Sequence, residues 1–68
     1  MWEYKTEQFK VELKGDKTCD DVLNEFGKEG WEAFSIEKNQ YFNRRLQIGK
    51  YKIHTANMYY VKLKRRVE

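Results

Sequence analysis

Cys19, Val22, Leu23 and Phe26 stand at i, i+3, i+4 and i+7, a single apolar stripe at helical spacing, and this stripe is the strongest constraint on the fold. A helix there must lay one narrow face on something else. Its boundaries are written beside it. Thr18 precedes the stripe in the N-cap position, and Asp21 is placed to close a capping box with it. Asp20 and Asp21 fall where the helix dipole favours negative charge. Gly30 follows the last turn, where a left-handed glycine ends many helices. Gly27 is the weak point, because a glycine inside a helix costs about 1 kcal/mol relative to alanine unless it permits close packing or marks an early end.

The rest of the chain alternates as strands do. Residues 2–13 predict a first strand, with Trp2, Tyr4 and Thr6 on one parity and Phe9, Val11 and Leu13 on the other. Two explanations are open: a bulge between Thr6 and Phe9, or an apolar patch on each face of the sheet. Lys14-Gly15-Asp16-Lys17 has the composition of a turn. Trp31 to Ile36 predicts a second strand. Tyr41 to Thr55 is a long polar and aromatic connection, in which Leu46-Gln47-Ile48 and Tyr51-Lys52-Ile53 can form a hairpin around Gly49. Ala56 to Leu63 predicts a third strand, with Met58 and Tyr60 on one parity and Tyr59, Val61 and Leu63 on the other. A helical crossover returns the second strand parallel to the first, and the third runs back against the second. Placing the third in the middle makes every neighbouring pair antiparallel and leaves one face for the helix. The expectation is a single α+β domain over residues 1–68, a three-stranded antiparallel sheet of order β-α-β-β with one helix packed on one face.

With 68 residues, such a domain sits near the lower size limit for independent folding. Small domains commonly add a disulfide, a metal or a partner. One cysteine excludes an internal disulfide, and one histidine, His54, excludes a Cys/His zinc site within one chain. No cofactor is expected. Two supports remain: a core rich in aromatic residues, and self-association into a dimer or larger homo-oligomer. The amphipathic start, Trp2-Glu3-Tyr4-Lys5, does not read as a secretory signal, and no stretch reaches the ~20 apolar residues of a membrane span. A lone thiol fits a reducing compartment, so the expected location is cytoplasmic, with no membrane partner.

Trp2-Glu3-Tyr4-Lys5, the run Leu23-Asn24-Glu25-Phe26-Gly27-Lys28-Glu29-Gly30-Trp31-Glu32 and a terminal strand ending in Lys-Arg together resemble the domain-of-unknown-function family 4177, small proteins of bacteria and their phages. The most specific piece is similar to that family's Leu-Asn-x-x-Gly-x-Glu-Gly-Trp pattern. The resemblance covers about half the chain, and Gln40 to Thr55 departs from it. It implies a fold of the kind just derived and carries no activity.

Charge is divided sharply. Residues 1–37 hold five lysines against ten acids, whereas residues 38–68 hold nine lysines and arginines against Glu68 alone. Three readings compete. In the first, Lys62 and Lys64 balance Glu3, Glu7, Glu32 or Glu37 across the sheet. In the second, Arg44, Arg45, Lys50, Lys52 and His54, interleaved with Tyr41, Phe42 and Tyr51 and joined by Lys64, Arg65 and Arg66, bind an anionic nucleotide or nucleic acid, with arginine taking phosphate and the rings stacking on bases. In a phage setting such a site would serve counter-defence or host takeover by sequestering a nucleotide signal. In the third, the basic half of one subunit meets the acidic half of another.

Catalysis is not expected. Cys19 belongs to the helical stripe, and the neighbouring aspartates oppose a thiolate. His54 has no carboxylate within ten residues to orient it. The glycines at 15, 27, 30 and 49 form no phosphate loop. The leading expectation is a non-catalytic binding module that self-associates through the sheet face opposite the helix, with Trp2, Tyr4, Met58 and Tyr60 as interface residues.

Overall fold

The computed structural model describes residues 1–67. It contains β1 (Trp2–Glu12), α1 (Cys19–Lys28), β2 (Glu32–Phe42), a short 3-10 turn at Arg44–Leu46 and β3 (His54–Arg66). The sheet order is β1-β3-β2, and both neighbouring pairs are antiparallel. The fold class and topology expected from the sequence are therefore found. The strands are longer than their apolar cores suggest. β2 runs six residues past Ile36, and β3 begins two residues before Ala56 and ends three after Leu63.

The ambiguity in β1 resolves in favour of two apolar faces. Its register with β3 runs unbroken from Trp2 opposite Arg66 to Glu12 opposite Ala56. The irregularities lie in the other pair, between Ala33 and Ser35 and between Tyr41 and Phe42. Odd-numbered residues of β1 and β3 face the helix: Lys5, Glu7, Phe9 and Val11 are half-buried there, and Val61 and Leu63 are fully buried. Even-numbered residues face away from it.

The four stripe residues Cys19, Val22, Leu23 and Phe26 are the half-buried positions of α1. The capping box is complete. The Asp21 N–H donates to Thr18 Oγ1 at 3.2 Å, and the Thr18 N–H donates to Asp21 Oδ2 at 2.9 Å. At the other end the Gly30 N–H donates to the Gly27 carbonyl at 2.9 Å and the Trp31 N–H to the Phe26 carbonyl at 3.1 Å. With Gly30 at φ 88° this is a Schellman motif, and Trp31 and Phe26 meet as its apolar pair. The Gly-x-x-Gly-Trp spacing thus ends the helix and drops Trp31 into the core in one move.

That core is small. Trp31, Val61 and Leu63 form it, with Phe9, Leu23, Phe26 and Ala33 packed around them. Ala56 is the other fully buried residue. A ten-residue helix covers about 15 Å, while β3 alone spans about 40 Å, so much of the sheet has no cover on either face. The molecule measures 54 × 21 × 14 Å with a radius of gyration of 15.0 Å, against about 11 Å for a compact domain of this length. Among the described residues, no helix is long and apolar enough to cross a membrane.

Candidate functional site

Two surfaces stand out. The first is the sheet face opposite α1. There Trp2, Tyr4, Phe34 and Tyr60 are exposed, Trp2 at 46% and Tyr4 at 63%, with Met58 half-buried two residues before Tyr60 along β3. The rings of Tyr4 and Phe34, from the two outer strands, meet edge-on above β3 with centroids 6.0 Å apart. Cations thread between the rings: Lys64 Nζ stands 4.6 Å from the Trp2 ring centre and Lys10 Nζ 4.8 Å from that of Tyr41. The four interface residues named from strand parity all lie on this face. Phe34 and Tyr41 are additional members. Phe34 is the unmatched residue of the Ala33/Ser35 irregularity, and such a residue is invisible to period-2 reading.

The second surface is the arm between β2 and β3. Asn43 Oδ1 accepts from the Arg45 N–H at 3.0 Å and opens the 3-10 turn, while the Asn43 N–H donates to the Ile53 carbonyl at 3.1 Å and ties the arm's base. Ile48 and Tyr51 exchange backbone hydrogen bonds at 3.3 and 2.9 Å around Gly49-Lys50, with Gly49 at φ 58°. The hairpin expected around Gly49 is therefore reduced to one bridge, because Leu46 is drawn into the 3-10 turn. Its tip is bare: Ile48 is 72% and Tyr51 78% exposed. At its base a concavity of about 440 Å³ is lined by Tyr41, Phe42, Arg44 and Lys52 with the amides of Gln40, Asn43 and Gln47. Among the described residues, Arg44, Arg45, Lys50 and Lys52 have no carboxylate within ion-pairing distance.

The ten residues grouped from the sequence as one anion site do not come together. Tyr41, Arg44, Arg45, Lys50, Tyr51, Lys52 and His54 sit at or beside the arm. Lys64, Arg65 and Arg66 lie at the far end of β3, ten or more residues along an extended strand and so at least ~30 Å away. Arg65 is also committed elsewhere. It faces the helix, pairs with Glu3, donates to the Glu29 carbonyl and lies 4.4 Å from the Trp31 ring centre. Charge balance across the sheet takes this form rather than the expected one. Lys62 faces Thr6 and Ser35. Lys64 lies opposite Glu32 but covers Trp2. Glu3 and Glu7 belong to the other face.

The reactive side chains are engaged structurally. His54 Nε2 lies 2.8 Å from Asn57 Oδ1 and its ring packs near Phe42. Burial and then the Asp20 charge push the Cys19 thiol above its ordinary value, away from the thiolate. A further depression, about 920 Å³, lies on the outer side of α1 among Asp16, Asp21, Glu25 and Gly27. It is shallow and contains none of the candidate anion-binding or interface residues.

A family model for the domain of unknown function DUF4177 matches residues 2–55. The chain belongs to that family. Neither a curated protein nor a solved structure matches it. The matched span takes in β1, α1, β2 and the arm, so the arm lies inside the family region rather than outside it, and nearly all of β3 lies beyond.

Proposed function

We propose that the protein is a non-catalytic binding module that self-associates through the sheet face opposite α1. The observation carrying this reading is the row of exposed rings on that face, Trp2, Tyr4, Phe34 and Tyr60, beside only four buried residues among those described. Size adds support. The chain exposes 5781 Å², whereas a compact monomer of 8.4 kDa exposes about 4,600 Å². The surplus of roughly 1,200 Å² exceeds the ~800 Å² each partner buries in a standard interface. A second copy offers the same rings and interleaved cations, and aromatic residues of this kind dominate interface energetics. Sedimentation at micromolar concentration tests the reading. The expected result is an oligomer that Phe34→Glu combined with Tyr60→Glu dissociates. A wild-type monomer across that range would retire it.

A second reading is favoured by one observation, the uncompensated cations around the aromatic and amide-lined concavity at the arm. Arg44 and Lys52 suit phosphate oxygens, Tyr41 and Phe42 suit a base, and Gln40, Asn43 and Gln47 suit base edges. The ligand class is an anionic nucleotide or single-stranded nucleic acid in a bacterial or phage-infected cytoplasm, where sequestering it would serve counter-defence or host takeover. Binding of labelled oligonucleotides and mononucleotides should weaken with salt and vanish in Arg44→Glu with Arg45→Glu, while the melting temperature stays within a few degrees of wild type. Affinity unchanged by that reversal would exclude the arm.

A further inference from the structure

We infer that the outer edge of β1 pairs antiparallel with β1 of a second copy, joining two three-stranded sheets into one of six strands. This is a different surface from the open sheet face, so it extends the self-association reading rather than repeating it.

The inference starts from the backbone. The Leu13 N–H donates to the Thr55 carbonyl at 3.0 Å, and the Val67 N–H donates to the Met1 carbonyl at 3.0 Å. Odd residues at both ends of β1 therefore turn their polar backbone toward β3. Because the register is unbroken, the same holds along the whole strand. The even residues, Trp2, Tyr4, Thr6, Gln8, Lys10 and Glu12, point N–H and C=O outward with no strand to receive them. Natural edge strands are guarded by bulges, proline, shortness or charged side chains. β2, the other edge, is irregular at two places. β1 has eleven residues, an unbroken ladder and no proline. Its guard is charge alone, carried by Glu3, Lys5, Glu7, Lys10 and Glu12, and these are of both signs, so a second copy of the same strand can pair them.

Among the three central registers of β1 against itself, the side chains favour one. With Thr6 facing its own counterpart on a two-fold axis, Lys5 of each copy lies opposite Glu7 of the other. Lys10 lies opposite Trp2, and Tyr4 opposite Gln8. Moving the axis by one residue puts like charges together: Lys5 would face Lys5 and Glu3 would face Glu7, or Glu7 would face Glu7. Lys5 and Glu7 occupy a non-hydrogen-bonded pair in the favoured register, where opposing Cα atoms are closest, about 4.5 Å apart. Both are half-buried on the helix side, and Lys5 Nζ already lies 3.5 Å from Glu7 of its own chain, so pairing would close a ring of four alternating charges. The two-fold axis also keeps both helices on one side and makes the two open faces continuous.

Thr6→Pro tests this directly. The Thr6 N–H points outward, so proline removes an inter-copy donor and leaves the β1–β3 ladder intact. Sedimentation should show at least a tenfold loss of association with unchanged circular dichroism. Lys5→Glu and Glu7→Lys should each weaken association, and the double variant, which restores opposite charges across the axis, should recover it whether or not proline at position 6 is tolerated. If wild type forms a tetramer, Thr6→Pro and the Phe34→Glu/Tyr60→Glu variant should each reduce it to a dimer, by different surfaces. An oligomer insensitive to Thr6→Pro and to both single charge changes, yet dissociated by the open-face variant, overturns the edge and leaves the face standing. Failure of the charge-exchange double variant to recover what its parents lose overturns the register.

Discussion

The two faces of the sheet are built from the same three strands and finish differently. On the helix side, Val61 and Leu63 lie under Leu23, Phe26 and Trp31, and the cations there are bound into the packing: Lys5 sits 4.5 Å from the Trp31 ring centre and beside Glu7, and Arg65 over Trp31 and beside Glu3. On the open side the aromatic supply is as large, but no helix arrives. Lys64 and Lys10 lay their stems and charges over Trp2 and Tyr41, and Lys62, Lys64 and Arg66 have no carboxylate within ion-pairing distance among the described residues. The difference shows what a lysine on an aromatic can and cannot do. It shields part of a ring from water, yet it leaves Trp2 46% and Tyr41 38% exposed, which a packed helix would not. The covered face supports the fold; the other is free to support an assembly.

Adjacent residues of β3 allow the sharpest break. Leu63→Ala removes a fully buried side chain, a change that costs roughly 2–5 kcal/mol, against a total stability of only about 3–10 kcal/mol for a domain of this length. Urea titration should find it largely unfolded or close to it. Tyr60→Ala, on the opposite face, should shift the same titration by about 1 kcal/mol or less at concentrations where the protein is monomeric, and should act instead on association. Equal effects from the two would mean that the faces are not separate.

Gly30→Ala strikes the junction that delivers the helix to its face. A Cβ at Gly30 would meet nothing within 4 Å, so its effect is confined to the backbone, where φ 88° strains any other L-residue by roughly 1–2 kcal/mol. The melting temperature should fall, with Trp31 fluorescence reporting the loosened end. Thr18→Ala strikes the other end and should cost about 1 kcal/mol. It has a pH signature. The backbone N–H and then the hydroxyl of Thr18 hold the Asp21 carboxyl below its ordinary value of 3.8. A carboxylate lowered on folding stabilises the fold above its unfolded pKa, and that stabilisation is lost as pH falls through the folded value. The acid limb of the stability curve should therefore be shallower below about pH 4 in Thr18→Ala than in wild type.

Much of this was legible in the residues because the signals were local. The stripe at Cys19, Val22, Leu23 and Phe26, the Thr18–Asp21 box and Gly30 each act within one or two turns, and all take the positions their spacing implies. Strand order followed from the helical crossover and from making every neighbouring pair antiparallel. Register did not: Phe34 reaches the open face through an irregularity that depends on pairing with β3, and the lengths of β2 and β3 are set by partners rather than by their polar ends. The anion group was over-collected for a related reason. Sequence proximity joined Lys64, Arg65 and Arg66 to the arm through a shared run of positive charge, while an extended strand carries them to the opposite end, where Arg65 is taken up by Glu3 and Trp31.

Gly27 gives the smallest effect and the most discriminating one. It lies within α1, and a Cβ placed on it would touch nothing within 4 Å, so close packing inside this chain does not explain it. Alanine there removes backbone freedom from the unfolded chain and favours the helix, which should raise stability by about 0.5–1 kcal/mol and the melting temperature by several degrees. The measurement belongs at two concentrations, one below and one above the range in which the proposed association would occur. A gain at both places the outer side of α1 in solvent and leaves assembly to the open face and the β1 edge. A gain in the monomer that disappears on association would mean that another backbone approaches Gly27 closely, adding the helix itself to the surfaces through which copies meet.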